Sequence, residues 1–352
     1  MRPKVLLLGR VEHATESWNS LSPLAELVEP RARNRTDFID ECRKGTLDDV
    51  LVIYRTFESV DMTGRLDEEL VTALPASVKF ICHNGAGYDQ IDVHACSNRG
   101  VKVSNTPDAV NDSTADTAMF LILGALRRLN VPMTTLREGN WRGHPPPPLG
   151  HDPQGKTLGI LGLGGIGRNL KSKAEAFGMR IIYHNRKELS EPLAGGAEYA
   201  TFESLLARSD IISINIPLNA DTRHMLSTRE FEQMKHGVVL VNTARGAVID
   251  EGALVEALDS GKVSSVGLDV YEAEPDIHPG LKANPNVMLL PHMGTWSVET
   301  QTAMEEKTIA NVRSALEKGS LRDVVPEQAC CEIQLARGKR SETGYVVPLT
   351  CC

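Results

Sequence analysis

The chain has 352 residues, enough for two domains with cores of their own. Hydrophobic residues make up 41% and charged residues 24%, ordinary proportions for a soluble globular enzyme. A net charge of −8 with no basic block argues against a nucleic-acid surface, and no apolar stretch reaches the roughly 18–20 residues of a membrane span.

The N-terminal MRPKVLLLGR carries an apolar run too short for a signal peptide and reads as a first β-strand. From Val5 to about Val103, the β-rich runs KVLLLG, VLVIY, VKFICHNGAG and VKVSN alternate with polar helical stretches. That alternation predicts a parallel sheet with helices between its strands. The stretch 111–129, NDSTADTAMFLILGALRRL, predicts a buried helix with a polar Asn/Asp/Ser start and a long apolar body. LREGNWRGHPPPPLGHDPQG follows as a Pro- and Gly-rich loop.

A second β/α series comes next: TLGILG, RIIYH, DIISINIP, GVVLVN, SSVGLDV and NVMLLPH. These continuous apolar runs predict strands buried on both faces of a parallel sheet. Ser227-x-x-Glu230 is a capping box, the start signal of one intervening helix. The late helix SVETQTAMEEKTIANVRSALEKG is expected to return to the first domain. The expected division is therefore a discontinuous substrate-binding domain (1–106 and 297–326), a dinucleotide-binding domain (107–296) and a tail (327–352). Seven cysteines without a CxxC pair or regular spacing make neither a disulfide framework nor a zinc site, so no metal is expected and a reducing cytosol is the expected home. Four of them fall in the last 23 residues. The closing LTCC resembles lipidated termini in some protein classes, but a polar tail of this kind reads as disordered.

TLGILGLGGIGRNL places Gly162-x-Gly164-x-x-Gly167 between a strand and a helix at the head of a β/α series. That is the context in which such a turn binds a dinucleotide. Gly162 allows the tight turn, Gly164 lets backbone approach a pyrophosphate and Gly167 lets helix pack on strand. The helix N-terminus adds N–H groups and partial positive charge. An NAD-binding second strand should end in Asp or Glu, yet MRIIYH runs into Asn185, Arg186 and Lys187. A 2′-phosphate would be repelled by a carboxylate there and gripped by a guanidinium, so NADP(H) is the preferred cofactor and NAD(H) a possible one. The alternative is that Arg186 and Lys187 are a solvated surface pair.

Three later segments put ionisable groups at strand ends: Arg245 in VNTARGAVID, Asp269 and Glu274 in GLDVYEAEP, and His292 in LLPHMGT. The carboxyl ends of strands line the ligand crevice of a doubly wound sheet, where an Arg, a Glu and a His can converge.

VNTARGAVIDEGALVEALDSGKVSSVGLDVYEAEP followed by LLPHMGT resembles the signature of the D-isomer-specific 2-hydroxyacid dehydrogenases. The resemblance covers roughly residues 50–320 and includes NGAGYDQID, TADTAMFLILGALRR and NIPLNADT. Within the family the chain looks closest to the glyoxylate/hydroxypyruvate reductase branch and its fungal D-mandelate dehydrogenase-like members. The resemblance implies an α/β fold of two Rossmann-like or flavodoxin-like parallel-sheet domains with the active site in a cleft between them. It implies His292 as general acid/base, Glu274 as the partner that fixes its tautomer and stabilises imidazolium, and Arg245 as the group that binds the carboxylate and polarises the carbonyl. Glu274 sets the chain apart from the formate dehydrogenase branch, which has an amide there.

The backbone of Asn84, Gly85, Ala86 and Gly87 would receive the substrate carboxylate. Pro217 and Thr243 match positions on the nicotinamide side, and Asp269 matches one near the carboxamide. Gly165, Ile166, Thr222, Ala244 and Gly294, with Arg245 and His292, complete the expected cofactor contacts. Trp296 stands where a small residue is common, and with the loop around Tyr54–Phe57 it is expected to set side-chain specificity. HPPPPLG lies where relatives carry a dimerisation arm, so a homodimer with the Trp141–Gly150 loop reaching across is expected, with neither nucleic acid nor membrane as partner. No pattern assigns a role to His83, His94 or His151. Together these readings describe a cytoplasmic NADP(H)-dependent reductase of a small 2-oxo acid such as glyoxylate, hydroxypyruvate or benzoylformate. The alternatives are a dinucleotide-sensing, corepressor-like binding protein on the same fold, or an enzyme whose task is oxidising D-mandelate.

Overall fold

The structure, a computed structural model, describes residues 2–329; the expected Cys-bearing tail from Cys330 lies outside the described residues. The chain forms two compact units, one of the residues up to Pro107 with those from Thr302, the other of Asp108–Gln301.

In the first unit, β1 (Lys4–Leu8), β2 (Glu26–Val28), β3 (Val50–Thr56), β4 (Phe80–Asn84) and β5 (Lys102–Ser104) form one sheet in the order β2-β1-β3-β4-β5. Every pairing is parallel. Alternate residues go to opposite faces, as the period of a strand requires. Leu6, Leu8, Ile53 and Ile81 pack with Phe38 and Leu70 on one side, while Val5, Val52, Tyr54 and Cys82 pack with Trp18, Ile309 and Val312 on the other. β2 was not legible in the sequence because a three-residue edge strand gives almost no periodic signal.

The helix Val298–Lys318 supplies Ile309 and Val312 to this core. Its buried Glu305 accepts backbone N–H bonds from Glu12 (2.9 Å), His13 (2.8 Å) and Ala14 (2.7 Å), tying down the loop after β1. Further on, Gln328 is buried in the stretch expected to begin a tail. It accepts from Val103 N–H and donates to Val101 carbonyl, closing the β5 edge.

The second unit holds β6 (Thr157–Leu161), β7 (Arg180–His184), β8 (Glu198–Tyr199), β9 (Ile211–Ile214), β10 (Val238–Asn242), β11 (Val263–Leu268) and β12 (Val287–Leu289). Their order is β12-β11-β10-β9-β6-β7-β8, again all parallel. The chain leaves β6 toward β7 and returns to its other side at β9, so β6 marks the topological switch point. β8, two residues long, is likewise too short to carry a periodic signal. The helix Asn111–Leu126 packs its apolar body on β10 and β11 but starts without the side-chain cap its polar residues suggested. The Ser227–Glu230 capping box is present as read from the sequence.

Glu305→Ala strands the buried Ala14 N–H and leaves those of the exposed Glu12 and His13 to water, and should cost about 1.5–3 kcal/mol of unfolding free energy in urea titrations. A loss below about 1 kcal/mol would show that the loop after β1 does not depend on that carboxylate.

Candidate active site

Parallel strands end on one edge of each sheet, and the candidate residues of the second unit all follow strand ends. After β6, Gly162 has φ +99°, and a Cβ there would lie 2.8 Å from the Asn215 carbonyl oxygen. A Cβ on Gly167 would collide with the Gly162 carbonyl, whereas one on Gly164 would meet nothing within 4 Å. The turn is thus packed tight at its outer glycines and open at the middle one, where the helix Gly165–Ala176 begins with Gly164 as N-cap. Open space over unpaired helix N–H groups suits a pyrophosphate.

At the end of β7, the Asn185 side-chain oxygen accepts the Leu163 N–H at 2.7 Å, so this residue braces the glycine turn from the neighbouring strand. Arg186 and Lys187 beside it are exposed. Asn215 and Thr243, just past the adjacent strands β9 and β10, each hold a buried side-chain oxygen without a partner among the described residues. Buried polar atoms of this kind call for a ligand or water, and an amide-bearing ligand such as nicotinamide suits them. Thr222 donates to the Pro217 carbonyl (2.7 Å) and accepts from Asn219 N–H (2.8 Å), closing the 217–222 loop.

Arg245 follows β10, with its carbonyl held by the Asn242 side chain at 2.9 Å and its guanidinium on the Ala244 carbonyl at 2.7 Å. A Cβ on Gly246 would collide with the Tyr271 carbonyl carbon, so only glycine lets the Arg245 strand pass this close to the 271–274 segment. There the Tyr271 N–H donates to one Glu274 oxygen (2.9 Å), and the other lies 2.9 Å from His292 Nδ1. The structure therefore brings Arg245, Glu274 and His292 to one end of the sheet.

His292 sits at φ +57°, unusual for a non-glycine residue. Asp269 holds it there. Its carbonyl accepts the His292 N–H (2.8 Å), and its carboxylate accepts Met293 N–H (2.6 Å) and Gly294 N–H (2.7 Å). The sequence placed Asp269 near the cofactor carboxamide and gave no sign of this bracing, because the contact spans residues far apart in the chain.

Two carboxylates flank one imidazole and are driven in opposite directions. Burial is the largest influence on Asp269 and raises its pKa above the ordinary value despite its two N–H donors. Burial also pushes Glu274 upward, but the hydrogen bond and charge of His292, the Tyr271 N–H and the Arg245 charge outweigh it, leaving Glu274 below its ordinary value. Glu274 is thus the carboxylate kept ionised.

In the first unit, Asn84–Gly87 lies at the carboxyl end of β4. The expectation for Tyr54–Phe57 needs correction. Tyr54 is fully buried with its ring edge-on to Trp18 at 5.3 Å, and Arg55 is buried too, so these side chains belong to the core and only Phe57 is partly exposed. β3 runs through Thr56 between β1 and β4 and is covered on both faces, so consecutive residues of it are buried. Trp296 is 66% exposed.

A doubly wound sheet with a glycine turn at its switch point and an Arg–Glu–His set on the same edge defines a dinucleotide-dependent oxidoreductase. Residues 119–294 match the family model of the D-isomer specific 2-hydroxyacid dehydrogenase NAD-binding domain. The chain is 56% identical over 326 residues to 4-methyl-2-oxopentanoate reductase A of Aspergillus oryzae, covering 93% of this chain and 98% of that protein. The crystal structure of a glyoxylate reductase from Paecilomyes thermophila superposes with a TM-score of 0.91 at 56% identity, covering 93% of this chain and 99% of that one. An NADPH-dependent glyoxylate/hydroxypyruvate reductase from Sinorhizobium meliloti, in complex with NADP and malonate, does so with 0.81 at 31%, covering 93% and 97%. The chain belongs to the D-isomer-specific 2-hydroxyacid dehydrogenase family and carries its NAD-binding domain.

Because the folded pKa of Glu274 lies below its ordinary 4.5, its ionised form stabilises the fold fully above that value, and the contribution is lost as pH falls through the lowered one. Glu274→Gln can keep the Tyr271 bond on its one carbonyl oxygen, but it turns an amide NH2 toward His292 Nδ1 and so loses both the charge and the acceptor for that ring. Its thermal-unfolding deficit relative to wild type should therefore be widest near neutrality and close in acid. A deficit independent of pH would contradict an ionised Glu274.

Proposed function

We propose that the protein is an NADP(H)-dependent D-2-hydroxyacid dehydrogenase acting as a reductase of a small 2-oxo acid, within the range of glyoxylate, hydroxypyruvate and branched or aromatic 2-oxo acids. The observation that carries this reading is the Glu274–His292 contact at 2.9 Å beside Arg245, on the sheet edge that also holds the glycine turn. Glu274 commits Nδ1 of His292 as a donor, which assigns Nε2 to deliver a proton to the carbonyl oxygen and to take it back in the reverse direction. The Arg245 guanidinium binds the acid's carboxylate and polarises its carbonyl. Backbone N–H groups of Asn84–Gly87 receive the carboxylate as well. When bound, the nicotinamide supplies the hydride for C2 or accepts it. Gly162, Gly164 and Gly167 with the following helix would hold its pyrophosphate, and Thr243, Pro217 and Asn215 its ring side. Oxidation of a D-hydroxy acid such as mandelate uses the same groups in reverse. The substrate range is supported by the names of two relatives, a 4-methyl-2-oxopentanoate reductase and a glyoxylate reductase.

NADP(H) is supported by the end of β7. Asn185 contributes no charge and spends its oxygen on the glycine turn, while the exposed Arg186 is available to a 2′-phosphate. The Sinorhizobium meliloti relative, in complex with NADP, supports the same choice. We also propose a homodimer, because exposed large apolar side chains concentrate in one segment: Phe120, Leu129, Met133, Leu136, Trp141 (76% exposed) and Leu149 (93%). A reducing compartment such as the cytosol is supported by Cys42, Cys82 and Cys96, free thiols buried in the core, whose pKa burial pushes to about 11 for Cys42 and about 12 for the other two.

A panel of 2-oxo acids assayed with NADPH and with NADH tests the activity directly. His292→Ala should keep dinucleotide binding and lose on the order of 10²–10⁴ in turnover; near-normal turnover would remove His292 as the acid. A charge-assisted hydrogen bond worth about 1.5–3 kcal/mol corresponds to a preference for NADPH of about 10- to 150-fold. Arg186→Ala should raise KM for NADPH and leave that for NADH nearly unchanged, and adding Asn185→Asp should invert the preference while keeping the Leu163 bond. Equal efficiency of the wild type with both cofactors would contradict the NADP(H) reading. Sedimentation of a stable monomer at micromolar concentration would contradict the dimer.

A further inference from the structure

One buried cation in the first unit has no part in the scheme above. Arg55 is completely buried near the end of β3, and parallel register sets it directly across from His83 on β4, which is 1% exposed. A guanidinium taken out of water is costly, so a buried one is expected to be fully engaged. Arg55 donates from Nε to Ser59 Oγ (3.2 Å) and from Nη2 to Gln90 Oε1 (2.9 Å), while Nη1 faces His83 Nδ1 at 3.5 Å. Burial lowers its pKa to about 10, against the upward pull of Asp89 and Glu58, and it remains a cation at neutral pH.

The other side of the His83 ring meets the loop that follows β4. Nε2 lies 2.9 Å from the Gly87 carbonyl oxygen, and a Cβ on Gly85 would come within 2.6 Å of that same nitrogen. The loop is therefore draped on the imidazole, and only glycine fits at Gly85. A guanidinium can only donate and a carbonyl can only accept, so Nδ1 serves as acceptor and Nε2 carries the proton. Arg55 thereby selects the tautomer in which His83 can donate to Gly87.

The two preceding carbonyls are anchored as well. Thr106 N–H donates to Gly85 (3.0 Å) and the Asn105 side-chain amide donates to Ala86 (2.7 Å). Three successive carbonyls are thus each held by a different donor. In a planar trans peptide the N–H points opposite to the C=O, so fixing these oxygens fixes the directions of the Ala86, Gly87 and Tyr88 N–H groups. Among the described residues, none accepts a backbone hydrogen bond from those three N–H groups.

We infer that His83, oriented by Arg55, is a positioning residue for the carboxylate-receiving loop, aligning its backbone N–H groups before the 2-oxo acid arrives. The inference rests on the reading of Asn84–Gly87 as the carboxylate site. Its consequence is specific: loss of the alignment weakens capture of the acid and leaves dinucleotide binding, which belongs to the other unit, untouched.

The test compares His83→Leu, which removes the ring's contacts to Arg55 and Gly87, with His83→Gln, which keeps an N–H donor of similar reach. The readouts are kcat and KM for glyoxylate, the Kd of oxamate (a non-reducible 2-oxo acid analogue) in the presence of NADPH, and the Kd of NADPH alone. His83→Leu should raise KM and the oxamate Kd about tenfold or more, the cost of one hydrogen bond left unmade. It should keep kcat within about threefold and leave the NADPH Kd unchanged, while His83→Gln should restore most of the loss. Should His83→Leu fail to fold, Arg55→Lys interrogates the same chain of contacts, since it keeps the charge but loses the fork that holds Ser59 and Gln90. It should raise KM in the same sense. An active wild type whose folded variants keep its KM, or a Gln variant as impaired as the Leu variant, overturns the positioning role alone. A wild type that neither reduces any 2-oxo acid nor binds oxamate overturns the carboxylate site and the positioning role together.

Discussion

The parallel direction of every strand is the constraint from which the rest follows. With all strands of a sheet running the same way, all of their carboxyl ends fall on one edge, and so do the turns that follow them. In the seven-stranded sheet this single fact gathers the glycine turn after β6, Asn185 after β7, Asn215 after β9, Thr243 and Arg245 after β10 and Asp269 after β11. In the five-stranded sheet it places Asn84–Gly87 at the corresponding edge. A chain that buries Val- and Ile-rich strands on both faces has few other ways to arrange them.

Position alone does not make chemistry, and the fine placement comes from backbone bonds to carboxylates. Asp269 spends both side-chain oxygens and its carbonyl on three consecutive N–H groups, which keeps His292 in a left-handed conformation few residues adopt unaided. Glu274 is fixed by the Tyr271 N–H and then fixes the imidazole. One carboxylate shapes the turn and the other sets the ring; burial raises the pKa of the first against its N–H donors, while His292, Tyr271 and Arg245 lower that of the second. In the first unit the same logic recurs with the signs exchanged, where a buried cation orients an imidazole that orients a loop.

The long strands, the glycine turn and the capping box were legible in the sequence because each is local: a run of apolar residues, a spacing, a pair three residues apart. β2 and β8 escaped because two or three residues at a sheet edge carry no period. Arg245, Glu274 and His292 could be picked out as candidates by motif, but their meeting depends on Gly246 passing against Tyr271, a tertiary contact no spacing reports. His83 gave no signal at all. Its significance lies in standing opposite Arg55 on the next strand, and that pairing exists only once the register is known. The stretch around Tyr54–Phe57 reads as a loop in the sequence, but β3 continues through Thr56 as an interior strand and Tyr54 packs in the core against Trp18.

The central claim is that this edge would hold a dinucleotide, the source of hydride, and orient a 2-oxo acid so that only one face of it is reduced. The most direct measurement is the configuration of the product. The enzyme is incubated with NADPH and 4-methyl-2-oxopentanoate, and the hydroxy acid is resolved by chiral chromatography. The account predicts the D-enantiomer alone. A racemic product, the L-enantiomer, or no hydroxy acid from any 2-oxo acid offered would contradict it.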